Sequence, residues 1–269
     1  MRASSQVIYR GMFVRLLQWL QDQGRALFDL DEQTLEAFLG QRRLHPQTRH
    51  RYLLFFMHLC GHLRALQPAQ GNPARKLLLA THAPDREDPS YLGPAAVHAL
   101  RAAVPAIGVR GWKNDRLQAI VDATLGAGLR SAELLSLRLD EVRLDPVAQI
   151  ALRARAPRPS RRIPLEPDTA SSLRAWMLVR LNGAFSGDLV FPADLAGKPL
   201  SASTLFRQVQ ACLDAAGIAS RHEGPALLRN TCIARWLATH PVTDVQQWAG
   251  HERIDSTTLF AQAALSWKA

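Results

Sequence analysis

The chain has 269 residues, 47% hydrophobic and 21% charged, a composition that fits one large domain or two ordinary ones and excludes a disordered chain. Its 33 Lys and Arg against 23 Asp and Glu leave a net charge of +10, which favours a polyanionic partner, nucleic acid before anionic membrane. No apolar run approaches the ~18–20 residues that span a bilayer, no secretory signal stands at the N-terminus, and Cys60, Cys212 and Cys232 fit neither a disulfide framework nor metal spacing. The expectation is therefore a cytoplasmic protein with buried thiols, no membrane contact, no metal and no cofactor.

Charge and proline mark the organisation. Residues 1–80 carry 11 basic and 5 acidic side chains, residues 81–89 (THAPDREDP) one against three, and residues 90–269 carry 21 against 15. This predicts two basic modules, 1–80 and 90–269, joined by a linker at 81–89. The first module reads as all helix. Val7, Phe13, Leu16, Leu17 and Leu20 approximate one stripe; a second helix follows Asp31, with Leu35, Phe38 and Leu39 inward and Gly40 as a stop. His45-Pro46 opens a third, with Leu53, Leu54, Phe56, Met57, Cys60 and Leu63 as its apolar face, and a short fourth follows Asn72-Pro73.

The second module mixes periods. Gly93-Pro94 starts a helix bearing Val97 and Leu100; residues 113–125 form another through Leu117, Ile120, Val121 and Leu125, broken by Gly126 and Gly128. Ser131 is the expected cap of SAELLSLRL. Three short strands follow, at 142–145, 148–153 and 161–165, joined by turns at Asp145-Pro146 and at the proline-broken APRPS. Helices return at 168–181, 202–216, 226–239 and 242–249, with Trp236 and Trp248 at apolar positions read as core, and Ser256, Thr257 and Thr258 read as caps of a last helix. The fold class is mainly α with a small antiparallel β-sheet (α+β).

At GLRSAELLSLRLDEVRLD (128–145) the chain resembles the first arginine motif of the tyrosine recombinase (phage integrase) family, T-G-L-R-x-S-E-L-x-x-L-x-x-x-D. RRIPL (161–165) resembles the end of that family's β-hairpin, and FPADLAGKPLSASTLFRQVQACLDAAGI (191–218) its next loop and helix. GPALLRNTCIARWLATH (224–240) resembles the segment that reads P-H-x-L-R-H-T, and VQQWAGHERIDSTTLFAQ (245–262) resembles L-G-H-x-x-I-x-T-T-x-x-Y. In the first module QWL, HPQTRHRYLLFF and GNPARKL resemble the family's core-binding domain. The resemblance covers nearly the whole chain. It implies a helical, SAM-like core-binding domain at 1–80 and a recombinase-like catalytic fold at 90–269, the two clamping double-stranded DNA.

In that family a tyrosine phenol attacks a DNA phosphodiester and forms a covalent 3′-phosphotyrosine. Two arginines and a histidine hold the phosphate oxygens, a hairpin lysine protonates the leaving oxygen, and a second histidine assists proton transfer. By resemblance the phosphate-holding positions fall on Arg130, Arg229 and His251 and are intact. The nucleophile falls on Phe260, which has no hydroxyl; the second-motif histidine falls on Ala226; the hairpin lysine falls near Ala156, with no lysine between Lys113 and Lys198. Arg155 or Arg158 stands in that space, but arginine is a poor general acid. Glu133 orients a nearby arginine or caps its helix, and capping is the simpler account.

Five arginines on and beside the hairpin, Arg153, Arg155, Arg158, Arg161 and Arg162, read as a phosphate-tracking ridge, since without an interspersed acid they should repel unless an anion is near. In the first module Arg42, Arg43, Arg49 and Arg51, with His45 and His50, flank the start of the third helix and read as further DNA contacts. Leu265 and Trp267 dock either into a neighbouring subunit or onto their own domain. The leading expectation is a non-catalytic, nucleoid-associated DNA-binding protein on a recombinase scaffold, serving as a regulator, an accessory to an active recombinase, or an architectural or segregation factor of a mobile element or plasmid. Two alternatives stay open: an active site-specific recombinase whose tyrosine has been replaced by Phe260, and an adaptor that pairs with an active recombinase. A homo-oligomer or such a recombinase is the candidate protein partner.

Overall fold

The computed structural model describes residues 3–41, 43–66, 72–81, 89–107, 111–156, 158–219, 224–265 and 267. The chain divides into two compact units, Met1–Glu87 and Asp88–Ala269. Residues 82–88, most of the expected linker, lie outside the described residues. No described helix is long and apolar enough to cross a membrane.

The first unit is helical: α1 (Ala3–Asp22), α2 (Glu32–Gly40), α3 (Pro46–Leu66) and α4 (Pro73–Ala80). Side-chain caps start two of them. Asp31 accepts a hydrogen bond from the Thr34 N–H at 2.7 Å, and Asn72 accepts one from the Ala74 N–H at 3.1 Å, ahead of Pro73. Phe38 is the centre of the core, with Trp19, Tyr52 and Phe56 edge-on to it at 5.5–5.8 Å. The expected stripe on α1 is displaced: Met12, Leu16, Trp19 and Leu20 are buried, whereas Val7 and Leu17 are exposed. On α3 the core takes Tyr52, Leu53, Phe55, Phe56 and Cys60, leaving Leu54 outside. On α3 aromatic residues dominate the stripe, because their larger area gains most from burial.

The second unit begins with α5 (Pro94–Ala103) and α6 (Trp112–Ala127). Gly126 does not break α6; it lies within the helix against α8 (Pro167–Asn182), and an added Cβ would come 1.9 Å from Thr169 Oγ1. Gly128, with φ of 55°, ends α6 in the left-handed region that glycine adopts without strain. The next helix, α7, is the single turn Ser131–Leu135. A three-residue 3-10 turn, Leu139–Glu141, leads into the sheet β1 (Val142–Arg143), β2 (Gln149–Leu152), β3 (Arg161–Pro164), antiparallel in that order. Ile150 pairs with Ile163 on the buried face, and Ala151 faces Arg162 on the other.

After α8 come α9 (Ala202–Ala215), α10 (Pro225–Thr239), α11 (Val242–Ala249), α12 (Asp255–Thr258) and α13 (Ala261–Leu265). Trp236 is in the unit's core, with Trp248 half-buried edge-on to it, and Trp267 packs on the same core while Leu265 is exposed. Two buried arginines organise the loop after α8. Arg180 donates to the carbonyls of Leu189, Ser186 and Gly187 at 2.8–3.1 Å, and Arg116 to those of Pro192 and Ala193 at 2.5 and 3.2 Å. The three thiols are free and buried, and burial pushes Cys60 and Cys212 up to about 11 and Cys232 to about 12.

Close packing of α6 on α8 depends on the missing side chain at Gly126. Gly126→Ala is expected to lower stability by about 1–3 kcal/mol, read as a lower urea midpoint at unchanged slope.

Candidate nucleic-acid interface

The site is built around Glu133. The turn at Gly128 delivers Arg130 to the N-terminus of α7, so the cap of that helix is Arg130 and not Ser131. One turn on, the Glu133 carboxylate folds back and accepts the Arg130 backbone N–H at 2.9 Å. It also accepts Arg130 Nη1 at 3.0 Å, and both ends of the Arg161 fork from β3, at 2.9 and 2.8 Å. Capping and orienting are thus one function of the same side chain. Burial alone would raise this carboxyl; the Arg161 and Arg130 hydrogen bonds and charges outweigh it and hold it at about 2.

The remaining donors of the two arginines reach the turn after α11. Arg161 Nε donates to the Trp248 carbonyl at 2.8 Å and Arg130 Nη2 to the Gly250 carbonyl at 2.6 Å. Gly250 has φ of 62°, and a Cβ there would meet the Arg161 guanidinium at 3.0 Å, so both backbone and space favour glycine.

Arg229, on α10, is 9% exposed and, among the described residues, has no carboxylate on it. It donates to the carbonyls of Gly128 and, at 2.7 Å, Ala249; its Nη2 lies 3.2 Å from His251 Nε2. Burial first, then the charges of Arg130 and Arg161, lowers its guanidinium to about 9. Burial and the charges of Arg229, Arg130 and Arg161 lower His251 to about 4, so the imidazole is neutral at pH 7. A neutral ring accepts from Arg229 at Nε2 and therefore carries its proton on Nδ1, donating to Thr257 Oγ1 at 2.9 Å. Phe260 stacks on this ring, centroids 6.5 Å apart and planes 19° apart, and is 6% exposed.

The resemblance implied that Arg130, Arg229 and His251 share one site, and the fold brings them together with Arg161. Thr257 does not cap a last helix: it is fully buried within α12 as the partner of His251, a role that spacing along the chain does not reveal. Ala226 is exposed on the first turn of α10, and Ala156 lies at the exposed hairpin tip.

The hairpin ridge departs from its expectation. Its anions are the protein's own: Arg153 pairs with Asp140, Arg155 with the buried Glu141 at 2.6 Å, and Arg161 is spent inside on Glu133. Arg158 turns toward the site, 3.9 Å from Glu133, and Arg162 is exposed opposite Ala151 with no ion pair among the described residues. In the first unit Arg43, His45 and Arg51 are exposed at the start of α3 and Arg49 and His50 half-buried, while Arg42 lies outside the described residues.

The model of the Phage integrase family matches residues 99–266. The chain belongs to the phage integrase family. Tyrosine recombinase XerD of Brucella abortus biovar 1 (strain 9-941) is 26% identical over 172 residues, 63% of this chain and 54% of the relative. The chain thus spans about half the length of that relative. XerD of Pasteurella multocida (strain Pm70) is 24% identical over 265 residues, 95% of this chain and 86% of the relative. Among solved structures, XerH site-specific recombinase bound to palindromic difH substrate in a post-cleavage complex aligns with a TM-score of 0.78 at 18% identity, over 93% of this chain and 74% of that one. A lambda integrase dimer bound to a COC′ core site aligns at 0.71 and 15% identity, over 97% and 72%. These likenesses establish the fold: a mainly helical tyrosine recombinase scaffold with a small antiparallel sheet.

Removing the shared carboxylate leaves two guanidinium groups without their anion. Glu133→Gln is expected to destabilise the second unit by about 3–5 kcal/mol, measured by chemical denaturation at pH 7.

Acid should act through the same groups. Glu133 moves from its ordinary 4.5 to about 2 on folding, so its contribution is complete above pH 4.5 and vanishes as pH falls from there toward 2. His251 moves from 6.5 to about 4, so stability is likewise lost as pH falls from 6.5 to 4. Denaturation midpoints should fall in both windows, and Glu133→Gln should flatten only the lower one.

Proposed function

We propose that this chain is a duplex-DNA-binding member of its family that holds a backbone phosphate without cutting it, in a regulatory, accessory or architectural role tied to a mobile element or plasmid. One observation carries the reading: at the nucleophile position stands Phe260, a buried ring without a hydroxyl stacked on His251, inside a site that is otherwise cationic. A phenyl ring cannot form a phosphotyrosine, and neither Ala226 nor Ala156 can move a proton. Arg130 and Arg229 retain the phosphate-holding positions beside His251. Exposed Arg162, Arg43 and Arg51, with half-buried Arg49, add sequence-independent backbone contacts, and the first unit serves as the core-binding domain. The XerH and lambda integrase structures were solved on their DNA sites, which agrees with a DNA partner here.

A nicked suicide substrate tests the claim. No covalent protein–DNA adduct is expected from this chain, nor from Phe260→Tyr alone, because the proton-transfer groups are still missing; an adduct from the unaltered protein overturns the reading. Reversible DNA affinity should fall linearly in log–log form with salt. Arg162→Gln or Arg43→Gln should each make that slope shallower by about 0.9, the amount that corresponds to neutralising one phosphate fewer.

A further inference from the structure

We propose that Asp140 is an autoinhibitory latch: its carboxylate stands in for a DNA phosphate on the guanidinium of Arg153 and so lowers the affinity of the chain for duplex DNA at large. The inference rests on the DNA-binding reading above and adds a control to it.

The latch is built on Glu141, which ends the 3-10 turn ahead of β1. Its carboxylate is fully buried and accepts the Arg138 N–H at 3.0 Å, the Arg153 N–H at 2.9 Å and Arg155 Nη2 at 2.6 Å. Taking one partner from a buried ion pair is costly, so Arg155 is fixed. Arg153 gives Glu141 its backbone N–H, and its guanidinium goes instead to Asp140, the residue before Glu141. Both side chains of that second pair are exposed, 59% for Arg153 and 57% for Asp140. An exposed pair is weak on its own and can be exchanged for another anion. Here the backbone of Arg153 is already pinned to the neighbour of Asp140, so the pair closes without ordering any loop. That tether gives the carboxylate a high effective concentration against a passing phosphate.

The place of Arg153 on the sheet gives the pair its consequence. Leu152 is opposite Arg161 in the register of β2 and β3, and both are buried. Alternation sets Ala151 and Arg153 on the other face, the one that carries Arg162. Arg162 is exposed there with no ion pair among the described residues, and a free Arg153 would be a second phosphate contact on the same face. Asp140 removes that contact. A chain of net charge +10 attracts any duplex through its backbone phosphates, and an internal anion on an exposed arginine cuts this sequence-independent attraction by one phosphate. The hydrogen bonds of Arg130, Arg229 and His251 do not involve Asp140, so the latch acts on affinity for the backbone and leaves that site as it is.

The experiment is a double-mutant cycle on the full chain: the unaltered protein, Asp140→Asn, Arg153→Gln and the two combined. Both side chains are exposed, so all four proteins should fold, which equal urea midpoints check. Fluorescence anisotropy follows a random-sequence duplex at pH 7.5 over a range of salt. Asp140→Asn is expected to bind about 5-fold tighter near 0.1 M salt, with a log–log slope steeper by about 0.9, the mark of one more phosphate neutralised. Arg153→Gln should keep the slope of the unaltered chain, because the arginine it loses was not on DNA, and the combined variant should keep that slope and lose the gain. Unchanged affinity and slope in Asp140→Asn overturn the inference. A gain that survives in the combined variant also overturns it, because Arg153 is then not the group released. So does a shallower slope in Arg153→Gln alone, because Arg153 is then already on a phosphate. If none of the four binds duplex, the DNA-binding reading fails, and elution from immobilised heparin, another polyanion, decides the latch: later elution of Asp140→Asn that the combined variant loses supports it, and equal elution overturns it.

Discussion

The second unit turns on one carboxylate. Glu133 accepts four hydrogen bonds, one from a backbone N–H and three from two guanidinium groups, and so ties α7 to β3 and, through Arg130 and Arg161, to the turn after α11. Those segments are far apart in sequence, and a buried anion of this kind is stable only where every acceptor position is answered. Three features of the site follow from it: the direction of Arg130, the withdrawal of Arg161 from the surface and the preference for glycine at 250.

Beside that anchored pair, Arg229 and His251 form a second arrangement with different electrostatics. Arg229 is surrounded by carbonyl dipoles and the lone pair of a neutral ring, so its charge is hydrogen-bonded but not neutralised. The Thr257 hydroxyl takes the Nδ1 proton of His251 in a hydrogen bond, and the Phe260 ring covers the imidazole face. The result is a positively charged recess whose aromatic wall has no hydroxyl.

Basic composition on its own is a blunt guide to such a site. Arg116 and Arg180 are among the most deeply buried side chains, and their forks organise the loop after α8 by donating to its carbonyls. Arg153 and Arg155 sit on Asp140 and Glu141. The acids that neutralise the hairpin precede it in sequence and come beside it only when β1 and β2 pair, so a run of arginines without a neighbouring acid was not a run without an acid nearby.

Read alone, the amino-acid order determined the helix starts at Asp31, Asn72 and Pro94, the presence of three short strands, and the motif positions of Arg130, Arg229, His251 and Phe260. The element starts are local features, fixed by caps and period over a few residues, whereas the four motif positions came from resemblance to the family. Tertiary structure alone decided that Gly126 is a packing contact, that Met12 and Trp19 rather than Val7 and Leu17 face the core, and that Thr257 serves His251. It also decided which of two hairpin arginines turns to the site. Each of those outcomes depends on what a distant segment places opposite the residue, and neither propensity nor spacing carries that information.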